Sequence, residues 1–359
     1  MTQQSQTAIQ GAREILFSQA INEAIRTAMR EDPSVIIMGE DIAGAAGRAD
    51  QGFIDAWGGP WRATRGLITE FGPERVLDTP ISEAGFVGTA VGAAMTGLRP
   101  IVEVMMADFL GVCFDQVFNQ AAKMLYMTGG QINMPLVIRT AYGTRAGTSR
   151  MGGGSGAQHS QTLYSLVVHI PGLKVVVPST PYNAKGLLLT AIKDPDPVVF
   201  FEHKFLNSTR GPVPEEAYYP PLGKAEVLRE GADLTLMGIG STTLLCLEAA
   251  QKLAGAGLQA EVLDLLSLSP LDEETIIASV KKTKRAVIVD EETPRCSVAR
   301  DVAAILVDKA FDYLDAPVKT VCSAHTPVPF AVALEEAYGP SVPRILRAVE
   351  EMMGISLPK

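Results

Sequence analysis

The sequence predicts an α/β protein of two domains, each built on a doubly wound parallel sheet. Short apolar segments alternate with helical segments along almost the whole chain, which is the pattern of repeated βαβ units. A stretch with prolines at positions 212, 214, 220 and 221 interrupts the alternation, and 359 residues are enough for two full cores. We therefore predict a first domain at residues 14–205, a linker at 206–222 and a second domain at 223–355.

Hydrophobic periodicity places the elements of the first domain. Apolar pairs recur at helical spacing from Ile15 to Met29, and Asp32 and Pro33 end this amphipathic helix. Runs of β-branched and apolar residues between turn signals predict the strands that follow. The predicted strands are 34–39, 100–106, 135–141, 173–178 and 197–204, and the predicted helices between them include 107–127 and 181–192.

The second domain repeats the same alternation and carries no cofactor fingerprint of its own. Its third strand ends in Asp290, Glu291 and Glu292, which we expect to form a solvated or partner-facing acidic edge. The predicted strands are 233–240, 259–266 and 285–292, and the predicted helices are 242–253, 272–282 and 298–310.

The segment from Val76 to Gly97 holds the main candidate residue. Val76 and Leu77 suit a buried strand, and Pro80 precedes a helix whose first turn carries Glu83. The glycines of that helix put small residues on a shared face, which predicts close packing against another backbone or subunit. Glu83 is a candidate for proton transfer, and the alternative is a first-turn carboxylate that only offsets the helix dipole.

Two loops offer further candidates. Glu40 follows strand 34–39, where a parallel sheet presents residues to a ligand cleft and where a solvated loop is the alternative. The glycine-rich segment 143–161 matches neither the P-loop pattern nor the dinucleotide-binding glycine pattern. We interpret it as a loop that leads into a helix at His159 and Ser160. His159 is a candidate acid or base, with a structural histidine as the alternative.

Composition and charge exclude several classes of partner. The formal charge of -9 argues against nucleic acid and an anionic membrane as main partners, and charged residues interrupt the apolar windows that could span a bilayer. The four cysteines show no CxxC pair or metal-ligand spacing, which is typical of a reduced compartment. The first residues lack the pattern of a signal peptide. We expect a cytoplasmic protein that binds a small molecule and other proteins.

Four motifs point to one enzyme family. They are DTPISEAGFVGTAVGAAMTGLRPIVE, FDQVFNQAAK, AQHSQ and PGLKVVVPSTPYNAKGLL. The chain resembles the β subunits of thiamine-diphosphate-dependent 2-oxo acid dehydrogenases over nearly its whole length, from about Ile15 to about Ile355. The resemblance implies a transketolase-like pyrimidine-binding domain followed by a transketolase C-terminal domain, in an α2β2 heterotetramer.

Finer motifs are most similar to the acetoin dehydrogenase branch of that family. These motifs are GEDIAG, DAWGG, DFLGVCFDQVFNQAAK, FFEHKFL, DEETPRCSVARD and HTPVPF. A pyruvate or branched-chain 2-oxo acid dehydrogenase is the alternative, because the loop before Gln158 is richer in glycine than the family pattern. Two remoter alternatives are a nicotinamide-dependent dehydrogenase, against which the missing glycine motif argues, and a noncatalytic scaffold subunit.

The resemblance also implies roles for individual residues. Glu83 would contact N1′ of the aminopyrimidine of the cofactor, and Phe109 would pack against that ring. His159 would assist substrate or acyl-group handling, and Glu40 would take part in proton communication between paired active sites. Asp194 lies where some relatives hold a monovalent cation such as K+, with a plain turn as the alternative.

One family motif is missing from this chain. It is the GDG run with a downstream Asn pair, which holds Mg2+ and the diphosphate in thiamine enzymes and which the family carries on the α subunit. The resemblance therefore implies half a cofactor site and no activity without the α subunit. With that partner, the chain is expected to cleave acetoin and pass the acyl unit to lipoyl groups. Those groups belong to a dihydrolipoyl acyltransferase core, which would dock on the C-terminal domain.

Overall fold

The computed structural model describes residues 12–44, 58–144 and 155–357. Within them, strands and helices alternate along the chain as the sequence predicts. Up to residue 213 the strands are β1 (Arg13–Leu16), β2 (Val35–Gly39), β3 (Val76–Asp78), β4 (Arg99–Val104), β5 (Val137–Tyr142), β6 (Lys174–Val176), β7 (Val198–His203) and β8 (Arg210–Val213). The α-helices of this part are α1 (Phe17–Glu31), α2 (Leu67–Phe71), α3 (Glu83–Met95), α4 (Ala122–Met127), α5 (Tyr164–Val168) and α6 (Pro181–Lys193).

The C-terminal part repeats this alternation. Its strands are β9 (Glu226–Arg229), β10 (Leu234–Gly238), β11 (Ala260–Asp264), β12 (Ser267–Ser269), β13 (Ala286–Asp290) and β14 (Lys319–Cys322). Its α-helices are α7 (Thr242–Gly255), α8 (Glu273–Thr283), α9 (Val298–Ala310), α10 (Val332–Tyr338) and α11 (Val342–Met353). No helix in the described part of the chain combines the length and apolarity needed to cross a membrane.

Two sheets form the centres of the two domains. The first has seven strands in the order β12-β6-β7-β5-β4-β2-β3, and the second has five in the order β14-β13-β10-β11-β9. Central strands such as β2, β5 and β7 are buried at every residue, because both faces of the sheet are covered. The α/β prediction is confirmed, but each sheet is mixed, since β12 and β9 run antiparallel to their neighbours. Short edge strands carry too little periodic signal to reveal their direction.

The stretch between the domains contains a strand as well as the predicted linker. β8 pairs antiparallel with β1, so that Arg13 faces Val213. This pairing takes residues 13–16 into a strand, which is why α1 begins at Phe17 and not at Ile15. The prolines predicted a break in the alternation, whereas the pairing of β8 with β1 depends on residues about two hundred positions apart.

The single helix predicted at 107–127 is three shorter pieces. Residues Ala107–Gly111 form a 3-10 helix, Gln116–Ala121 form a π-helical turn, and α4 completes the segment. The 3-10 helix has about 3.0 and the α-helix about 3.6 residues per turn, and the π-helix is wider still, so apolar spacing in segments this short cannot separate them. Such turns redirect side chains and are frequent at functional sites.

A buried ion cluster connects three neighbouring strands of the first sheet. Arg139 on β5 is 1% exposed, and it donates to Glu103 on β4 at 2.7 Å and to Glu202 on β7 at 2.6 and 2.9 Å. Burial raises the pKa of Glu103, and the charge of Arg139 opposes that rise. Because one cation serves two buried carboxylates, its removal would leave uncompensated charge in the core.

Replacing Arg139 by methionine is expected to lower the free energy of unfolding by about 3–5 kcal/mol, because both carboxylates lose the cation that pairs them. Urea titration measures the change. Lys319→Met is the control, since its ion pair with Glu351 has side-chain exposures of 33% and 58% and such pairs contribute about 0–1 kcal/mol. Equal losses in the two variants would contradict a structural role for the buried cluster.

Candidate active site

The parallel strands of the first sheet end at one edge, and three of the predicted site residues lie there. Glu40 directly follows β2, Glu83 begins the helix after β3, and Phe109 lies in the 3-10 helix after β4. Residues that follow the carboxyl ends of parallel strands line the ligand crevice of α/β folds. This edge is therefore the candidate active site.

Glu83 is the first residue of α3 and is 7% exposed. Phe86 and Val87, on the next turn, are buried in the core. The Glu83 carboxylate takes part in none of the ion pairs found in residues 12–44, 58–144 and 155–357. Burying a carboxylate without a partner is costly, and the amino end of the helix offsets part of that cost. Glu83 is thus suited to bind a proton-donating group of a ligand.

Glu40 is influenced by the charge of Glu83. Burial raises the pKa of Glu40, and the negative charges of Asp41 and Glu83 raise it further. The loop after β2 is attached to β3, because the Ala43 amide donates to Asp78 Oδ1 at 2.6 Å. Two neighbouring carboxylates that influence each other favour a ligand that brings positive charge or a proton.

Cys113 belongs to this site and was missed by sequence reasoning. Its buried thiol senses the charge of Glu83 and bonds to the carbonyl of Phe109 at 3.7 Å. Burial and, to a smaller degree, Glu83 raise the pKa of Cys113 to about 12, so it stays protonated at neutral pH. Cys113 therefore lies between the influence of the Glu83 charge and the backbone of Phe109, and it is no nucleophile. Its spacing of four residues from Phe109 is the signal that could have indicated it.

The structure brings Phe109 and His159 together. Their rings meet edge to face, with centroids 5.3 Å apart and planes at 88°. Asp108 accepts from the side-chain amide of Gln161 at 2.8 Å, which attaches the residues around His159 to the 3-10 helix. Two candidates from separate segments of the sequence thus share one surface.

The predicted helix start at His159 and Ser160 is wrong. His159 lies in a bend, and α5 begins only at Tyr164. The His159 carbonyl and Ser160 Oγ do not take part in a helical turn. Both accept hydrogen bonds from Lys204 Nζ instead. Residues 145–154, which include most of the glycine-rich segment, lie outside the described residues.

Asp194 is not part of this edge. It follows α6 at the opposite end of the strands, where its carboxylate accepts from Lys174 at 2.7 and 2.8 Å. Arg99 Nη1 donates to the carbonyls of Ile192 and Asp194 at 2.9 and 3.3 Å. These contacts give the turn a structural role, and the cation at Asp194 stays a prediction of the resemblance.

The solvated or partner-facing acidic edge predicted for the second domain is wrong, because Asp290, Glu291 and Glu292 are all buried within this chain. Asp290 accepts from the hydroxyl of Tyr164, and Glu292 accepts from the Ser165 amide at 2.9 Å. Both donors belong to the first domain. Burial and the charge of Asp290 raise the pKa of Glu292. The acidic residues thus connect the two domains and do not face solvent.

Glu291 joins the ends of two central strands of the first sheet. Its carboxylate accepts from the amide and the hydroxyl of Thr144, both at 2.7 Å, and from His203 Nε2. The Phe205 amide donates to His203 Nδ1 at 3.1 Å, which assigns the ring proton to Nε2. Burial opposes ionisation of Glu291, but His203 and the hydrogen bonds from Thr144 lower its pKa to about 2.

Two domain families match the chain. The family described as "Transketolase, pyrimidine binding domain" matches residues 13–208, and "Transketolase, C-terminal domain" matches residues 223–345. A solved structure of a split gene transketolase, an inactive β4 tetramer, has the same fold. Its TM-score is 0.73 at 22% identity, over 95% of this chain and 99% of that chain.

Named relatives match nearly the whole chain. The β subunit of acetoin:2,6-dichlorophenolindophenol oxidoreductase of Bacillus subtilis is 53% identical over 96% of this chain and 98% of its own. The subunit of the same name from Cupriavidus necator is 51% identical over 95% and 98%. Mitochondrial pyruvate dehydrogenase E1 component subunit beta-1 of Arabidopsis thaliana is 43% identical over 94% and 89%. The chain therefore belongs to the transketolase-like family that includes the β subunits of acetoin oxidoreductases and of pyruvate dehydrogenase E1 components.

Proposed function

We propose that this chain is the β subunit of a thiamine-diphosphate-dependent oxidoreductase that acts on acetoin together with an α subunit. The observation that carries the proposal is 53% identity, over 96% of the chain, to a β subunit named for acetoin. A relative named for pyruvate follows at 43% identity, which makes a pyruvate dehydrogenase β subunit the second candidate. A nicotinamide-dependent dehydrogenase is not supported, because the matched domains are those of transketolase.

The residues at the candidate active site fit one half of thiamine diphosphate. Glu83 offers a buried carboxylate that would hold the aminopyrimidine nitrogen N1′ and keep a proton there. Phe109 offers an aromatic side chain to the pyrimidine ring. Glu40 would take part in proton communication between paired active sites, because burial and then the charges of Asp41 and Glu83 raise its pKa. When bound, thiamine diphosphate supplies a carbon nucleophile for cleaving a bond beside a carbonyl carbon.

His159 would act on the substrate. Its carbonyl is bound by Lys204 and its ring lies against Phe109, so both the backbone and the imidazole have defined positions. An imidazole in such a position is suited to donate a proton to, or accept one from, a substrate oxygen during transfer of the acyl group.

The surface around Glu83 is suited to an α subunit. Gly85, Thr89 and Gly92 form an exposed face of small residues on α3, and nothing in the described chain lies within 4 Å of a Cβ placed on Gly92. Beside this face, Ile81 is 75% exposed. We therefore expect another chain to supply the close packing predicted for these glycines. A face of small residues and an exposed apolar side chain both favour such a contact.

We further propose the wider assembly that the family resemblance implies. The α subunit would hold Mg2+ and the diphosphate, and two copies of each subunit would form an α2β2 heterotetramer in the cytoplasm. The C-terminal domain would dock a dihydrolipoyl acyltransferase core. Its exposed apolar side chains Val307 and Phe311, at and just after the end of α9, support such a docking surface.

Turnover is expected only when this chain is co-expressed with its α partner and supplied with thiamine diphosphate and Mg2+. Acetoin, pyruvate and 2-oxoisovalerate are offered separately, and acetoin is expected to give the fastest reduction of 2,6-dichlorophenolindophenol. Each subunit alone is the control, and dye absorbance is the measurement. Preference for a 2-oxo acid would keep the family and overturn the acetoin proposal.

Replacing Glu83 by glutamine is expected to lower kcat of the assembled enzyme by about 10²–10⁴-fold, because an amide cannot share the proton at N1′. Dye reduction at saturating acetoin measures the change. Glu274→Gln is the matched control, since Glu274 also lies in a first helical turn, in α8, and its side chain is 90% exposed. Near-normal turnover of E83Q would favour a noncatalytic scaffold instead.

Replacing His159 by alanine is expected to spare affinity for thiamine diphosphate and to slow acyl transfer by about 10²-fold, because proton transfer at the substrate is lost. Titration of the cofactor and stopped-flow transfer to lipoamide separate the two effects. His169→Ala is the control, since His169 lies exposed at the end of α5. Loss of cofactor affinity in H159A would contradict the role assigned to His159.

A further inference from the structure

Lys204 is a buried cation that contacts the residues of the His159 bend. It follows β7, is 4% exposed, and its amide donates to the carbonyl of Tyr142 at 3.1 Å. Its Nζ donates to the His159 carbonyl and to Ser160 Oγ, the latter at 3.1 Å. A buried ammonium stays in place only while its hydrogen bonds are made, so it holds the backbone that it binds.

Two further contacts act on the same bend from the other side. Phe109 meets the His159 ring edge to face, and Asp108 accepts from the Gln161 side chain at 2.8 Å. Lys204 therefore binds the backbone of His159, while the 3-10 helix contacts the ring and the residue that follows the bend. The direction of the imidazole depends on both sets of contacts, because the backbone sets where the side chain begins.

The second domain stabilises the strand end that carries Lys204. The preceding residue, His203, donates through Nε2 to Glu291, which also accepts from the amide and hydroxyl of Thr144. Gly143 has φ +86°, and a Cβ there would lie 2.2 Å from His203 Nε2, so this approach of β5 to β7 requires glycine. Lys204 thus follows a strand end that is fixed by contacts among the end of β5, the end of β7 and Glu291.

We propose that Lys204 is a positioning residue for His159. By binding the His159 carbonyl and the Ser160 hydroxyl, it sets where the imidazole stands beside Phe109. The proposal rests on the proposed function, because it concerns the histidine assigned there to acyl-group handling. Lys204 takes no chemical step itself and acts through His159.

Lys204→Met removes the ammonium while nearly keeping the length of the side chain. In the assembled enzyme it is expected to lower kcat for acyl transfer to lipoamide by about tenfold to 10²-fold, because the imidazole is displaced from its working position. In a His159→Ala background the same substitution is expected to have little further effect, since the residue that Lys204 positions is gone. Equal losses in the two backgrounds, or no loss in wild type, would overturn the proposal.

Lys185→Met is the matched control for loss of a buried ammonium. Lys185 is 1% exposed and donates to the carbonyls of Pro214 and Glu215 at 2.7 and 2.9 Å. Lys185 contacts residues that follow β8 and not the His159 bend, so its replacement is expected to leave kcat unchanged. If K204M does not fold, Lys204→Gln keeps a donor and is expected to give a smaller loss in the same direction.

A chemical readout separates this proposal from the proposed function. The chain has four histidines, so peptide mass spectrometry can follow the reaction of each with diethyl pyrocarbonate in the full-length protein. K204M is expected to change the rate at His159 several-fold and to leave the exposed His169 and His325 unchanged. An unchanged rate at His159 overturns the positioning role. Normal turnover of H159A alongside a changed rate would instead overturn only the catalytic role of His159.

Discussion

The fold depends on carboxylates that the second domain buries against the first. Asp264, Asp290, Glu291 and Glu292 end strands β11 and β13 or directly follow them, and each is at most 5% exposed. Buried carboxylates are costly unless hydrogen bonds replace their lost water. The second domain supplies some of the compensating donors itself, such as Thr243 to Asp264 and the Ala299 amide to Asp290. The first domain supplies the rest, which are Ser179, Tyr164, Thr144, His203 and Ser165. Docking of the domains is therefore specific, since any other arrangement would remove the hydrogen bonds that the first domain donates to these buried carboxylates.

This docking also shapes the candidate active site. β12 comes from the sequence of the second domain yet adds an edge strand to the first sheet. Glu291 connects Thr144, at the end of β5, with His203, at the end of β7. These strand ends lie at the edge where Glu83 and Phe109 are placed. The second domain thus contributes to the site by holding its framework, and the candidate groups for chemistry come from the first domain.

Two features near Glu83 are incomplete in a single chain. Its buried carboxylate has no ion-pair partner in the described residues, and the small-residue face of α3 beside it has no close neighbour at Gly92. Both would lower the stability of an isolated subunit, since one is a buried carboxylate without an ion-pair partner and the other a helix weakened by glycine. The proposed cofactor and α subunit would complete both. Functional sites commonly break local rules of stability in this way.

Local sequence patterns predict the alternation of strands and helices, the helix whose first turn carries Glu83, and the position of Glu40 after a central strand. These follow from local periodicity and from the common edge at which parallel strands end. Tertiary contacts alone reveal that β1 pairs with β8, that Glu291 is buried, and that Lys204 binds the backbone of His159. Such contacts join distant segments and leave no local pattern. The sequence does not show whether a charged side chain is solvated or paired, because the free energy of the charge depends on where its partner lies in the fold.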